Sequence, residues 1–420
     1  MIITATTMAI MISGVVIFLL ITLLLVGILL YVKKKLTAEG TVTIDINDGK
    51  LTIKTEPGNT LLATLGNNKV FLPSACGGSG TCGMCRCQVN SGAGSILPTE
   101  TGFFSRKEKS QNWRLACQVK VKDNIKMHVH QEVLGIKKWE CTVVSNENVA
   151  TYIKEFIVKL PEGENLEFKS GGYIQIDVPK CDVDFIFFNI ASQFRPEWEK
   201  YKLFDLKMVN TEPTFRAYSM ANHPAEGNIV MLNIRIATPP FDRVNGGFMK
   251  VNPGIASSYI YSLKPGDKII ISGPYGEFFL KDNNNEMMFI GGGAGMAPMR
   301  SHLFHIYHTL KDRTRKVTFW YGARSWSEVF YYDEFCAIAA EYPNFNFFLA
   351  LSDPKPEDNW IGLRGFIHQV IYNNYLLKHE EPEEIDYYIC GPPLMNSAVT
   401  KMLYDLGVPD ENVLFDDFGG

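Results

Sequence analysis

What this chain has little of narrows it first. Its 41 Lys and Arg face 45 Asp and Glu, so the net charge is −4 and the basic excess that nucleic-acid binding needs is missing. No repeat or long low-complexity tract is present. Cysteine is sparse and odd in number, nine in 420 residues, which argues against the dense, even pairing of a secreted disulfide scaffold. There is no second C-x2-C beside the one at Cys82 and Cys85, so the usual pattern of a structural zinc site is missing too. Hydrophobic content of 46% and charged content of 20% fit ordinary globular folding, and the length predicts about three domains of roughly 150 residues each.

Charge is absent outright from residues 8–32, MAIMISGVVIFLLITLLLVGILLYV. As a helix this run crosses a hydrocarbon core of about 30 Å. A cleavable signal would place its basic residues before a shorter apolar core. Here Lys33, Lys34 and Lys35 follow the run, which predicts a single-span anchor with nearly the whole chain on the cytoplasmic side. The run holds no ionisable residue to mark an ion path, so anchoring or docking to other membrane subunits is its expected task.

Four of the cysteines are grouped. Cys76, Cys82 and Cys85 lie in CGGSGTCGMC and Cys117 follows a loop of about thirty residues, close to the spacing by which four thiolates hold a 2Fe–2S cluster. The first gap is one residue longer than in the plant-type pattern. Gly77, Gly78, Gly80 and Gly83 let the backbone coil around the sulfurs. The neighbouring Cys87 reads as a small core residue, as do Cys141, Cys181 and Cys336. Around the loop, TVTIDI, KLTIKTE, LACQVKV and IKMHVH read as short strands of a small α+β ferredoxin-like (β-grasp) sheet.

From residue 134 the pattern changes to regular strands, CTVVSN, YIKEFIVKL, GGYIQIDV, IVMLNIRIA and KIIISG, which predict an all-β barrel. Arg216, Tyr218 and Ser219 place a guanidinium, a ring and a hydroxyl on one strand, a set that suits phosphate pairing, stacking and a hydrogen bond to a flavin. Gly254 to Ser257 reads as a turn opening a short helix whose free N–H groups suit a pyrophosphate. Gly273-Pro274-Tyr275-Gly276 reads as a tight turn closing the barrel.

The last part is α/β. A buried strand, Met287 to Ile290, runs into GGGAGMAP and an amphipathic helix, the arrangement in which a helix N-terminus faces a diphosphate. Pro298 stands where the G-x-G-x-x-G pattern has its third glycine. KVTFWYG, FNFFLAL and DYYIC follow as strands, and the last delivers Cys390-Gly391-Pro392-Pro393 to a carboxyl edge, where such sheets bind ligands. Arg324 and Ser325 follow a strand end where a 2′-phosphate could sit, which leaves NADH and NADPH both open. His302, His305 and His308 recur every three residues, a spacing that drifts around a helix and suits a metal poorly. Asp416 and Asp417 read either as groups that assist proton handling or as solvated charge.

In order along the chain, RAYSMAN, SGPYGEFF, IGGGAGMAPMRSH, WYGARS, CGPPLMN and LFDDFGG resemble the family of F subunits of sodium-translocating NADH:quinone reductases. The stretch from Pro179 to Arg216 resembles an insert of that family, while residues 241–251 look like an extra loop. The resemblance implies an anchor at 1–36, a 2Fe–2S domain at 37–133, an FAD-binding barrel at 134–282 and an NADH-binding α/β domain at 283–420. It implies that Arg216, Tyr218, Ser219, Gly254 and Ser257 hold FAD, that Gly293, Gly295, Pro298 and Gly391 serve the nicotinamide nucleotide, and that Cys76, Cys82, Cys85 and Cys117 hold the cluster. Ser219, Cys390 and Phe418 would stand at the reacting centre, Phe418 covering the flavin face. The implied activity is NADH oxidation at a bacterial inner membrane, with electrons leaving singly through the cluster to partner subunits that reduce quinone and export sodium. Two other classes compete: a reductase component of a multicomponent oxygenase, and a non-enzymatic membrane-tethered electron carrier.

Overall fold

The computed structural model describes residues 5–36, 40–242, 244 and 246–416. The chain divides into two compact units, the first being Met1–Leu72 with Gly83–Leu134 and the second Pro73–Cys82 with Gly135–Gly420.

In the first unit α1 runs Ala5–Leu36, and its Met11–Leu29 stretch has a mean hydropathy of 3.0 with none of it buried. It is long and apolar enough to cross a membrane. Thr22 Oγ1 donates to the Phe18 carbonyl at 2.8 Å, so this hydroxyl costs the helix no unpaired polar group. The strands β1 (Val42–Ile46), β2 (Leu51–Thr55), β3 (Arg86–Ser91), β4 (Trp113–Leu115) and β5 (Ile125–His128) form a mixed sheet in the order β2-β1-β5-β3-β4. Ile44, Ile46 and Val89 point into a core shared with α2 (Leu61–Asn67), while α3 (Arg106–Ser110) carries a Ser105–Glu108 capping box. The predicted strand LACQVKV ends early: β4 stops at Leu115 and the chain turns at Ala116, whose N–H donates to the Cys85 carbonyl. A buried Arg114–Glu100 pair at 2.7 Å fixes that turn, because Glu100 also accepts the Leu115 N–H at 2.9 Å.

The second unit opens with six strands in the order β11-β8-β15-β6-β7-β12. They are β6 (Lys137–Ala150), β7 (Ile153–Lys159), β8 (Tyr173–Val178), β11 (Thr214–Ser219), β12 (Ile229–Arg235) and β15 (Lys268–Tyr275). A bridge between Met220 and Leu232 joins the two outer strands, so the sheet closes as the predicted barrel. Gly273-Pro274-Tyr275 does not form the expected turn. It stays within β15 behind a cis Gly273–Pro274 bond, and the register shifts between Ser272 and Tyr275 as a bulge.

The insert pairs β9 (Cys181–Asp184) with β10 (Lys207–Asn210) and adds α4 (Arg195–Lys200). It closes the barrel core with Phe185, Phe188 and Trp198, and the Trp198 indole donates to the Thr151 carbonyl at 2.7 Å. The extra loop forms a small ribbon of β13 (Phe241–Asp242) and β14 (Gly247–Phe248) ahead of α5 (Ile255–Ser262). Cys87 and Cys141 are core thiols as expected, whereas Cys181 and Cys336 are only half-buried.

An all-parallel sheet follows, in the order β19-β18-β17-β16-β20-β21, from β16 (Met287–Gly292), β17 (Val317–Ala323), β18 (Phe345–Leu351), β19 (Leu363–Arg364), β20 (Asp386–Cys390) and β21 (Val413–Phe415). The chain builds outward from β16 on one side and then returns to its other side at β20, which opens a crevice at the carboxyl ends of those two strands. The crossings are α6 (Met296–Phe304), α7 (Tyr332–Glu341), α8 (Ile367–Asn374) and α9 (Pro393–Asp405). The expected amphipathic helix after the glycine loop is not amphipathic. Every residue of α6 is buried, because one side packs on the sheet and the other on the barrel.

His302 on α6 sits among Phe278, Phe289 and Tyr388, and burial pulls its pKa from 6.5 to about 3. Above pH 6.5 the ring is neutral folded or unfolded and contributes nothing to the pH dependence. Between 6.5 and about 3 the unfolded chain takes the proton first, so stability falls with pH. Thermal unfolding midpoints measured from pH 7 to pH 4 should drop, and His302→Gln should flatten the slope.

Candidate active site

The site grows from the ends of two strands that lie far apart in sequence. β11 ends at Ser219 and β20 ends at Cys390. Between them lies Asp416, one residue past β21, whose N–H donates to the Ile389 carbonyl at 3.1 Å. Ser219 Oγ donates to Asp416 Oδ2 at 2.5 Å, and Cys390 Sγ lies 4.0 Å from the same oxygen. All three are buried, so Asp416 is not solvated charge. The barrel hydroxyl and the sheet thiol therefore meet on one carboxylate. Asp417 and Phe418 lie outside the described residues.

A cavity of about 410 Å³ beside this cluster is lined by Arg216, Tyr218, Arg235, Gly254 and Ser257. Arg216 Nη1 donates to Thr214 Oγ1 at 2.9 Å and to the Phe215 carbonyl at 2.7 Å, which fixes the guanidinium at the cavity wall. Burial raises the Tyr218 phenol, keeping it neutral. Ser257 Oγ accepts the Ala237 N–H at 3.1 Å and donates to the Gly254 carbonyl at 3.2 Å. Its hydroxyl thus shapes the wall, and the first turn of α5 presents its backbone N–H groups. A fixed cation, a neutral ring, a helix start and space are what FAD requires, and the residues fit it.

A second cavity of about 410 Å³ lies at the carboxyl edge of the parallel sheet, lined by Gly292, Gly322, Arg324, His368, Pro392 and Leu394. Gly293 takes a left-handed φ of 58°. Gly295 passes directly beneath the Cys390 carbonyl, where a Cβ would collide with the backbone, so loop and thiol hold each other in place. Pro298 stands in the first turn of α6, and Gly391 follows Cys390 at the same edge. The set fits a nicotinamide dinucleotide.

Sequence reasoning passed over what ties the two cavities together. On α6, Arg300 Nη1 donates to the Ala221 carbonyl at 3.0 Å and Ser301 Oγ to the Asn222 carbonyl at 2.8 Å, just beyond Ser219. Arg300 also pairs with Glu226 at 2.9 Å and Glu334 at 3.1 Å. The letters R and S after the glycine loop carry no sign of this, because their partners lie 79 residues away. Removing one partner of a buried pair costs about 3–5 kcal/mol. Arg300→Met should lower stability by about that amount in denaturant titration, a large change for one side chain.

The cysteines appear as two pairs. Cys76 and Cys82 stand 3.3 Å apart, and Cys82 lowers the Cys76 pKa to about 2, the thiolate form in which cysteine binds metal. Cys85 pairs with Cys117, which pushes the Cys85 thiol up. Among the described residues no three His, Cys, Asp or Glu side chains converge as a metal site, His302, His305 and His308 included. Gly77, Gly78, Gly80 and Gly83 all take left-handed φ values of 67–91°, and the Thr81 and Cys82 backbone N–H groups bond the Cys76 sulfur. Cys76 and Cys82 in the second unit and Cys85 and Cys117 in the first are all thiols outside any disulfide, the donor chemistry that an iron–sulfur group takes.

Three family models match: a 2Fe-2S iron-sulfur cluster binding domain over residues 44–122, an oxidoreductase FAD-binding domain over 199–280 and an oxidoreductase NAD-binding domain over 289–401. Among solved structures, an Amycolatopsis cytochrome P450 reductase superposes with a TM-score of 0.61 at 23% identity, covering 90% of this chain and 99% of that one. The ferredoxin reductase of carbazole 1,9a-dioxygenase gives 0.58 at 22%, covering 90% and 98%. The F subunit of the Na(+)-translocating NADH-quinone reductase of Methylococcus capsulatus is 55% identical over 97% of this chain and 99% of its own, and that of Klebsiella pneumoniae is 54% identical with the same coverage. The solved reductases share the fold alone, whereas these relatives share over half their residues from end to end. It is to the family of F subunits of the Na(+)-translocating NADH-quinone reductase that this chain belongs.

Proposed function

We propose that this chain is the NADH-oxidising, electron-input subunit of a sodium-translocating NADH:quinone reductase. The observation that carries the reading is the Ser219–Asp416–Cys390 cluster, which joins the end of β11, the strand whose Arg216 and Tyr218 line the FAD-type cavity, to the end of β20 in the nucleotide-type sheet. FAD, when bound, supplies the conversion of an electron pair into single electrons, and the 2Fe–2S group accepts them one at a time. The chain's own residues bind and align. Arg216 and the start of α5 take the phosphates, and Tyr218 lines the flavin cavity. The loop from Gly293 to Pro298, with Gly391, receives the nicotinamide nucleotide. Cys390 faces the reacting end, and the hydrogen bond from Ser219 Oγ to Asp416 Oδ2 offers a path for a proton. Phe418 would cover the flavin face. Cys76, Cys82, Cys85 and Cys117 would hold the cluster.

The domains follow the four-part division at 36, 133 and 282. By the positive-inside rule α1 holds the chain in a bacterial inner membrane with its bulk in the cytoplasm, where partner subunits take the electrons. The detergent-solubilised full chain should carry FAD and reduce ferricyanide with NADH. A chain that keeps no flavin and oxidises no NADH would sink the reading.

A further inference from the structure

The coenzyme crevice has a positively charged corner, and its charge is already engaged. Arg324 follows β17 and lines the crevice beside Gly322, Ser352 and His368. Its Nη2 lies 3.7 Å from Glu328 Oε1. Glu328 sits in the Trp326–Glu328 turn with 16% of its side chain exposed, and Thr151 of the barrel hydrogen-bonds it. Arg235 and Glu197 also act on it, with opposite signs. Ser325, the other residue offered by the sequence for a 2′-phosphate, is 1% exposed and its Oγ lies 3.1 Å from Ser327 Oγ. Of the two groups that could greet such a phosphate, one is turned inward and the other carries a carboxylate partner.

NADH and NADPH differ by that phosphate alone, a group of about −1.5 to −2 charge with oxygens that match a guanidinium fork. A carboxylate 3.7 Å from the arginine of the crevice offsets its charge and repels an incoming phosphate. We propose that Glu328, acting on Arg324, is the specificity-determining residue that makes this site take NADH and reject NADPH. The inference rests on the functional reading above and adds the discriminating group. Rejection by a like charge is the repulsive element that specificity needs, since both coenzymes gain the same contacts elsewhere.

The test is the ratio of kcat/KM for NADPH to that for NADH, measured with ferricyanide on the full chain. Glu328→Gln should raise the ratio about tenfold or more, while kcat/KM for NADH stays within about threefold of wild type. Arg324→Ala in the Glu328→Gln background should abolish the gain, because the freed guanidinium is what receives the phosphate. Glu328→Asp, which keeps the charge, should leave the ratio near wild type. A ratio unmoved in Glu328→Gln, or a gain that persists without Arg324, overturns the inference. Should Glu328→Gln lose FAD, Glu328→Thr carries the same expectation, and loss of FAD by both overturns it too, since a residue that only discriminates is dispensable for folding. Wild type that oxidises neither coenzyme would sink the functional reading, whereas wild-type NADH turnover with an unmoved ratio sinks this inference alone.

Discussion

Asp416→Asn should leave FAD bound and slow NADH oxidation by about 10²–10⁴-fold in kcat, the range that a positioned proton-transfer group supplies. The carboxylate accepts the Ser219 hydroxyl at 2.5 Å in a buried site. The amide keeps the shape but cannot relay the proton that a flavin takes up with the hydride. Ser219→Ala should cost a similar factor, and the double variant should cost little more than either single one, because the two residues act as a unit. KM for NADH should stay close to wild type, since Gly293 and Pro298 are untouched. Stopped-flow reduction of the bound flavin by NADH checks all of this. Full-rate reduction in Asp416→Asn would show that the contact is structural.

The second large effect lies in the first unit. Cys117→Ser should abolish the visible absorption of the iron–sulfur group and the acid-labile sulfide while leaving NADH–ferricyanide turnover within about twofold. One of the four proposed ligands is lost, and hydroxyl oxygen is a poor substitute for thiolate at such a site. Cys87→Ser should keep both signals, because its thiol is buried against the Arg114 carbonyl at 3.9 Å. Retention of iron and sulfide by Cys117→Ser would remove it from the ligand set. The two experiments separate the halves of the chain: Asp416→Asn stops electron entry, and Cys117→Ser stops electron exit.

Much of this was legible in the sequence, and the exceptions share a cause. Strands such as VTIDI and IVMLNIRIA announced themselves by alternation or by an unbroken apolar run, since local pattern dictates which face is buried. RAYS and GGGAGMAP are each weak alone and become readable through their order and spacing along the chain. What failed depended on distant partners. LACQVKV alternates like a strand, but the Glu100–Arg114 pair bends it at Ala116. The helix after the glycine loop was expected to have a wet face, yet the barrel covers it. Asp416 stood undecided between proton handling and surface charge, because the hydroxyl that answers the question lies 197 residues earlier. Arg300 and Ser301 were silent for the same reason.

The burial of α6 on every side bears on how coenzyme comes and goes. Many two-part enzymes admit a ligand by hinging one part away from the other. Here such a hinge would strip Arg300 from Glu226 and from the Ala221 carbonyl, and bare a nine-residue helix whose every residue is buried. Exposing that surface and unpairing those charges makes the parted state too costly to be visited often. The barrel and the parallel sheet must then behave as a single rigid jaw. Exchange of nicotinamide is left to movements of side chains and short segments at the mouth of the crevice, which are small in amplitude and fast.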